Sequence, residues 1–398
     1  MTTVERVFSE KVGERVEEGD FVEVEPDVIM IHDGSGATAL RVMRDELGVE
    51  RVEDPDKVVL VFDHSVPPSS VEAADRQNEL LRFAEEHGIS KVHVDEGVCH
   101  QILVEKGYAS GGRLVFGGDS HTPTCGAVGA VGIGFGGTDM AFAMVYGELW
   151  VRVPPTIEVR IVGRPRFPST AKDVALRMVS EIGAGGAEYR ALEFTGSVSG
   201  WELGDRMTLC NLATEVGAKT AVVSGEEVVE GAERRVEIDA RHVEPCVSRP
   251  GRVDDVVPVS EVEGVEVTRV FVGSCTNGRY EDMALFAGVL EEMGGPCEHV
   301  RIVVVPASRT ELLKAVKDGV VERLVRMGVL VCPPGCGPCL GEHMGVLGRD
   351  DVCVATSNRN FPGRMGHRDA EIYLASPVTA AVAAAEGELK DPRDVLGG

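Results

Sequence analysis

The stretch CPPGCGPCL, Cys332 to Leu340, gathers three of the chain's ten cysteines into one short segment. Its C-x-x-C, Cys336 to Cys339, can grip one metal or one cluster from a tight turn. Four chemistries compete for it. A structural zinc site could draw on Cys332, Cys336, Cys339 and His343, although a zinc ribbon offers a second C-x-x-C and the chain has none. A thioredoxin-like redox pair would sit at a helix start after a strand, and Pro338 between the cysteines suits that arrangement. Idle buried thiols are the third reading. The fourth is an iron-sulfur cluster, whose iron matches soft thiolate ligands. That reading asks for one more cysteine on a rigid turn, and VFVGSCTNGR (270–279) supplies Cys275 where an apolar strand gives way to a helix. Cys332 precedes Pro-Pro-Gly, which holds the chain extended and points it elsewhere. Three thiolates, from Cys275, Cys336 and Cys339, would leave one iron of a four-iron cubane open, a Lewis acid suited to hydration rather than electron transfer.

Other residues complement such chemistry. Removing water from a carbon next to a carboxylate requires an acid for the departing hydroxyl. Asp119, Ser120 and His121 place a carboxylate, a hydroxyl and an imidazole on a glycine-flanked loop, and Asp63-His64 follows an apolar strand. A carboxylate beside an imidazole holds it protonated near neutral pH. Asn211 and Glu215, four residues apart, would share a face if their segment is helical. NRNFPGR (358–364) carries Arg359 and Arg364, guanidiniums able to clamp carboxylates in bidentate fashion. GIGFGG (132–137) matches G-x-G-x-x-G, but without a βαβ unit and an acidic residue about 20 positions on, its glycines read as close backbone packing around a site.

Elements able to position these groups are visible as short β-branched runs at 57–64, 155–163, 267–274 and 300–308, alternating with helical spacing at 76–88 and 309–319. The fold class is therefore α/β, expected as three domains: 1–152, 153–262 and 263–398. At 398 residues each has room for its own core. Sixty-five acidic against forty basic side chains, a formal charge of −25, repel phosphate backbones and anionic membranes, and aromatics at 5% leave little for base stacking, so neither nucleic acid nor membrane is an expected partner. The N-terminus lacks a basic region followed by an apolar one, and no run approaches the roughly 18 apolar residues of a membrane span, so the chain reads as cytoplasmic, where cysteines are not a disulfide framework.

GSCTNGR (273–279), PGCGPCLG (334–341) and TSNRNFPGR (356–364) together resemble the aconitase superfamily of hydro-lyases. In the same order come IHDGSG (31–36), FDHSVP (62–67), GVCHQI (97–102), GGDSHTPTCGAVGA (117–130), LCNLATEVGAKT (209–220) and YLASPVTAAVAA (373–384), so the resemblance covers almost the whole chain. It implies an aconitase-type arrangement of three α/β domains around a [4Fe-4S] cluster held by Cys275, Cys336 and Cys339. Acid catalysis would fall to His64 with Asp63 and His100 with Asp119, with Ser120 and His121 lining the site. Glu215 and Asn211 would lie near the open iron, Arg359 and Arg364 would clamp a small di- or tricarboxylate, and Asn277 and Asn358 would hydrogen-bond near the cluster. One departure weakens citrate as substrate: Ala37 stands where citrate-handling members carry glutamine. The family's fourth, swivelling domain brings a serine base and further arginines. The chain ends at Gly398 soon after the third domain, so the resemblance implies a separate small subunit as partner and a large subunit inactive alone. The alternative outside this class is a zinc-binding interaction protein with structural histidines.

Overall fold

The computed structural model describes residues 1–49, 51–225 and 228–396. Three mostly parallel sheets follow one another along the chain. The first uses β2 (Val28–His32), β3 (Val58–Phe62), β4 (Lys91–Val94), β5 (Leu114–Gly117) and β6 (Val131–Gly134) in the order β4-β3-β2-β5-β6, preceded and followed by the antiparallel ribbon of β1 (Phe21–Val24) and β7 (Leu149–Arg152). Strands β2, β3 and β5 are buried along their whole length, as continuous apolar runs covered on both faces should be. The order reverses between β2 and β5, which opens a crevice at their carboxyl ends.

The second sheet is fully parallel, β10-β9-β8-β11, with β8 (Thr156–Val162), β9 (Ala191–Gly196), β10 (Thr220–Val223) and β11 (Arg234–Asp239). The third runs β13-β12-β18-β17-β14-β15-β16. It comprises β12 (Cys246–Ser248), β13 (Val256–Pro258), β14 (Arg269–Gly273), β15 (Arg301–Val305), β16 (Leu330–Val331), β17 (Val352–Ala355) and β18 (Glu371–Leu374). Its parallel part reverses between β14 and β17, so a second crevice opens there. Sheet membership changes between Arg152 and Thr156, next to the expected division. It changes again before Cys246, earlier than the expected 262/263: β12 and β13 join the third sheet through an antiparallel contact of Ser248 with Leu374. Proline and glycine obscured those two short strands, of which β13 pairs with β12 and β12 with β18, more than 100 residues on.

The helices expected at 76–88 and 309–319 are Val71–Glu86 and Arg309–Lys317, each capped by a serine hydroxyl that accepts a backbone N–H. Gly132 and Gly134 of the glycine-rich run lie against the backbone of the 119–122 loop: a Cβ would come within 2.3 Å of Thr122 O and 2.7 Å of Asp119 O. A strand and a helix do flank this run, but the next strand, β7, leaves the sheet to pair with β1, so no βαβ unit forms. Among the described residues no helix is long and apolar enough to cross a membrane.

Candidate active site

The two crevices face each other, and a backbone bond joins them: Cys336 N–H donates to Asp63 O at 2.8 Å. On the first sheet Asp33, just beyond β2, accepts the N–H groups of His64 at 3.2 Å and Ser65 at 2.9 Å, fixing the turn that leaves β3. Its carboxyl lies far below the usual range; burial opposes this, but contacts with His32 and His64 prevail. Asp63 Oδ1 is 2.7 Å from His64 Nδ1, and Asp63 Oδ2 accepts from Cys99 N–H at 2.7 Å. Burial disfavours the His64 cation, yet the Cys336 sulfur, Asp63 and Asp33 raise its pKa well above the ordinary imidazole value. His32 stacks on His64 with ring centroids 4.1 Å apart.

Asp119, beyond β5, is the hub of the second half. His100 Nε2 lies 2.8 Å from Asp119 Oδ1, which also accepts His121 N–H at 2.7 Å. Burial would raise the Asp119 pKa, but His100 and His121 hold it well below the usual carboxylate range. His121 Nε2 meets Glu215 Oε1 at 2.8 Å, Arg359 Nε donates to both Glu215 oxygens at 2.9 and 3.1 Å, and Arg359 reaches Ser120 Oγ at 3.1 Å.

The thiols arrive from the second crevice. Cys275 sits in the short helix Ser274–Asn277 directly after β14, entered through Ser274 at φ +68°, a left-handed conformation costing about 1–3 kcal/mol in a non-glycine residue. The carbonyls of Cys275 and Thr276 accept from the buried Arg279 guanidinium at 2.8 and 2.7 Å, which holds the helix in place. Cys336 and Cys339 flank and occupy the turn Gly337–Leu340. All three line one cavity together with His64, His100 and His121. The Asn211 and Asn358 amides donate to Cys275 Sγ at 3.1 and 3.5 Å, and Arg364 lies 3.9 Å from Cys339 Sγ. Burial pushes the Cys275 thiol up to about 12, helped by Cys339 and Asp119, and lifts Cys336 well above its ordinary value. A metal bound here would displace the protons of its thiol ligands.

The donor set fits an iron-sulfur group. Three sulfurs line one cavity, neutral amides offer hydrogen bonds to sulfur, and His100 Nδ1 and Arg364 Nε are buried without a partner among the described residues. The zinc quartet does not assemble: His343 Nε2 is bound to Pro67 O at 2.6 Å, and Cys332 lies off the cavity. Among the described residues, the groups of three or more metal-type donors close enough to share a single ion are His100, His121 with Cys275, and His32, Asp33 with Asp63 and His64, whereas the three sulfurs line the cavity further apart.

Ten of the fifteen residues singled out from sequence line the cavity: Asp63, His64, His100, Asp119, His121, Cys275, Cys336, Cys339, Asn358 and Arg364. The other five do not. Asn211 is buried behind Cys275. The helix carrying it stops at Leu212 and tightens into a 3-10 turn over Ala213–Val216, so Asn211 and Glu215 reach different partners instead of sharing a face. Glu215, Arg359 and Ser120 form an ion-paired layer behind His121, and Arg359 is neutralised rather than free to clamp a substrate. Asn277 donates to Thr208 Oγ1 and Asp282 Oδ1, away from the cavity. Residue type and spacing do not single out three further groups of the site, His32, Asp33 and Cys99, the last of these on the cavity wall. The strand-end position of His32-Asp33, equivalent to that of Asp63-His64 one strand over, was the available signal.

Comparison with known proteins agrees with this geometry. The aconitase family (aconitate hydratase) profile matches residues 5–230 and 232–387. A Methanopyrus kandleri protein named 3-isopropylmalate dehydratase large subunit 2 is 68% identical over 401 residues, covering 100% of both chains. A Methanocaldococcus jannaschii protein named methanogen homoaconitase large subunit is 42% identical, covering 99% of this chain and 100% of its own. Among solved structures, Thermococcus kodakaraensis aconitase X in its holo form superposes with a TM-score of 0.54 at 13% identity, covering 92% of this chain and 93% of that one, a likeness of fold. With thiols, imidazoles and carboxylates gathered where two sheets reverse their strand order, and a family profile spanning nearly all residues, the chain belongs to the aconitase family.

Proposed function

We propose that the chain is the large, cluster-bearing subunit of a hydro-lyase that interconverts 2-isopropylmalate and 3-isopropylmalate through isopropylmaleate. The observation that carries this reading is the 68% identity, over the full length of both chains, to a protein named 3-isopropylmalate dehydratase large subunit 2. Cys275, Cys336 and Cys339 would hold a [4Fe-4S] cluster, one iron of which has no cysteine. When bound, it supplies a Lewis acid for loss and addition of a hydroxyl group.

The chain's own residues account for the rest. Asp63, at His64 Nδ1, orients the ring so that Nε2, 3.7 Å from Asp119 Oδ2, carries a proton toward the cavity for a departing hydroxyl. His100 and the His121 backbone hold Asp119 ionised and immobile. Arg364, with its unpartnered Nε, receives a substrate carboxylate, while Arg359 and Glu215 brace His121 and Ser120. Walls that include the buried Val98 and Cys99 and the part-buried Leu340 limit water in the cavity. The relatives are named large subunits, and a small subunit would carry the remaining substrate contacts and the base.

A second reading rests on the 42% identity, again at full coverage, to the protein named homoaconitase large subunit. Anaerobic reconstitution with the cognate small subunit, followed by hydration of isopropylmaleate and of cis-homoaconitate, decides between them. Preference for the first substrate by tenfold or more is expected. The reverse preference transfers the chain to the second reading, and no hydration of either substrate refutes both.

A further inference from the structure

Lys172 has no part in the chemistry above, yet its position is an expensive one for a cation. It lies in the first turn of the helix Ala171–Ile182 and is 0% exposed. A positive charge at a helix N-terminus meets the positive end of the peptide dipoles, and an ammonium out of water needs an opposite charge. No carboxylate lies within ion-pair distance of Lys172 among the described residues. Its ammonium donates instead to two main-chain carbonyls, Thr356 O at 2.7 Å and Ser357 O at 2.5 Å.

Those carbonyls belong to the turn leaving β17, whose next residue is Asn358. The Asn358 amide donates to Cys275 Sγ at 3.5 Å, Thr276 Oγ1 at 3.1 Å and Asn211 Oδ1 at 3.2 Å. Lys172 therefore stands one turn behind the thiol cavity, on a different domain from all three cysteines. Burial, the largest effect, pulls its pKa down to about 7, while Asp282, Cys339, Cys275 and Asp173 act in the opposite direction. Asp282 is shared with the Arg279 backbone and Asn277, and Asp173 accepts the Thr170 and Cys246 N–H groups, so neither is given over to Lys172.

We propose that Lys172 is a positioning residue for the cluster: its ammonium clamps the 356–357 turn that aims Asn358 at Cys275, and its charge offsets the negative charge of the cysteine-bound group across that turn. This rests on the cluster reading of Cys275, Cys336 and Cys339. Two consequences are separable. The clamp governs how much cluster is retained; the charge governs how readily the cluster accepts an electron, because a nearby cation stabilises the reduced, more negative state.

The test compares the parent protein with Lys172→Met and Lys172→Gln, each reconstituted anaerobically with iron and sulfide. Iron and acid-labile sulfide are counted per chain, and the clusters are titrated with dithionite while paramagnetic resonance follows the reduced form. Both variants are expected to lower the reduction equilibrium constant at least tenfold, a shift of about 59 mV to lower potential for one electron. Glutamine keeps an N–H donor for the turn, so Lys172→Gln carries the test should Lys172→Met fail to fold. Lower occupancy with an unchanged potential in the clusters that remain would show an ordinary structural role and overturn the proposal. A parent protein that holds no iron and sulfide would refute the cluster reading itself, and this inference with it.

Discussion

Replacing Glu215 with glutamine tests whether the layer behind His121 is held by charge. The carboxylate touches His121 Nε2 at 2.8 Å and Arg359 Nε at 2.9 and 3.1 Å, with the Glu215 side chain 7% exposed and that of Arg359 23% exposed. A hydrogen bond to a charged group contributes about 1.5–3 kcal/mol, against about 0.5–1.5 kcal/mol for a neutral one. Glutamine keeps an acceptor but leaves the part-buried Arg359 cation without its counter-charge and weakens the His121 contact, so the variant should be less stable by about 2–3 kcal/mol. Alanine, which strands the guanidinium, should cost about 3–5 kcal/mol. Urea unfolding followed by circular dichroism reads the loss as a lower midpoint at unchanged slope. In a double-mutant cycle with Arg359→Met the coupling should reach about 1–2 kcal/mol. The pH dependence has a definite sign. Burial works against the Glu215 anion, but His121 and Arg359 hold its pKa below the usual glutamate value. Its stabilisation is thus complete above the unfolded-state pKa of about 4.3 and is lost as pH falls through the lower folded value. The gap between parent and Glu215→Gln should be constant from neutrality to about pH 5.5 and close below that. A cost under about 0.5 kcal/mol, the range of an ordinary surface substitution, or strict additivity with Arg359→Met, would refute the reasoning.

Other perturbations probe separate parts of the site. Gly126→Ala would place a methyl 1.9 Å from Ala221 O, where backbone cannot yield easily, and should destabilise by about 1–3 kcal/mol or more, read as a lower urea midpoint. Arg364→Lys keeps the charge but loses the planar fork facing the cavity, and a tenfold to hundredfold rise in KM with a smaller change in kcat is expected in steady-state kinetics of the reconstituted enzyme. Cys275→Ser removes one of three thiols, and iron and sulfide counted after anaerobic preparation should fall well below the parent's; an unchanged count would exclude Cys275 as a ligand.

Several parts of the site were legible in the residues alone. Near-continuous apolar runs marked β3, β14 and β15, because a strand covered on both faces has little place for polar alternation. Asp63-His64 and Cys275 stood out because each follows such a run, where open α/β sheets present their ligand-binding groups, and Asp119 because of its glycine-flanked loop beside Ser120 and His121. Other assignments failed for a common reason: spacing reports the face a side chain takes on its own element, not what lies opposite. Asn277 looked equivalent to Asn358, yet Thr208 and Asp282 draw it away from the cavity. Arg359 and Arg364 share one loop and one chemistry, and only the approach of Glu215 from the second domain neutralises the first and leaves the second facing the cavity.

The amino-acid sequence by itself determined the α/β class, the thiols capable of binding a soft metal and the carboxylate-imidazole pairs. All of these depend on residue type and on spacings of a few positions. Tertiary structure alone decided the early start of the third sheet at β12, the engagement of Glu215 with Arg359, the exposure of Cys99 to the cavity and the burial of Lys172 behind Asn358. Each depends on groups 36 to 184 residues apart, brought together because two sheets reverse their strand order on facing sides of one cavity.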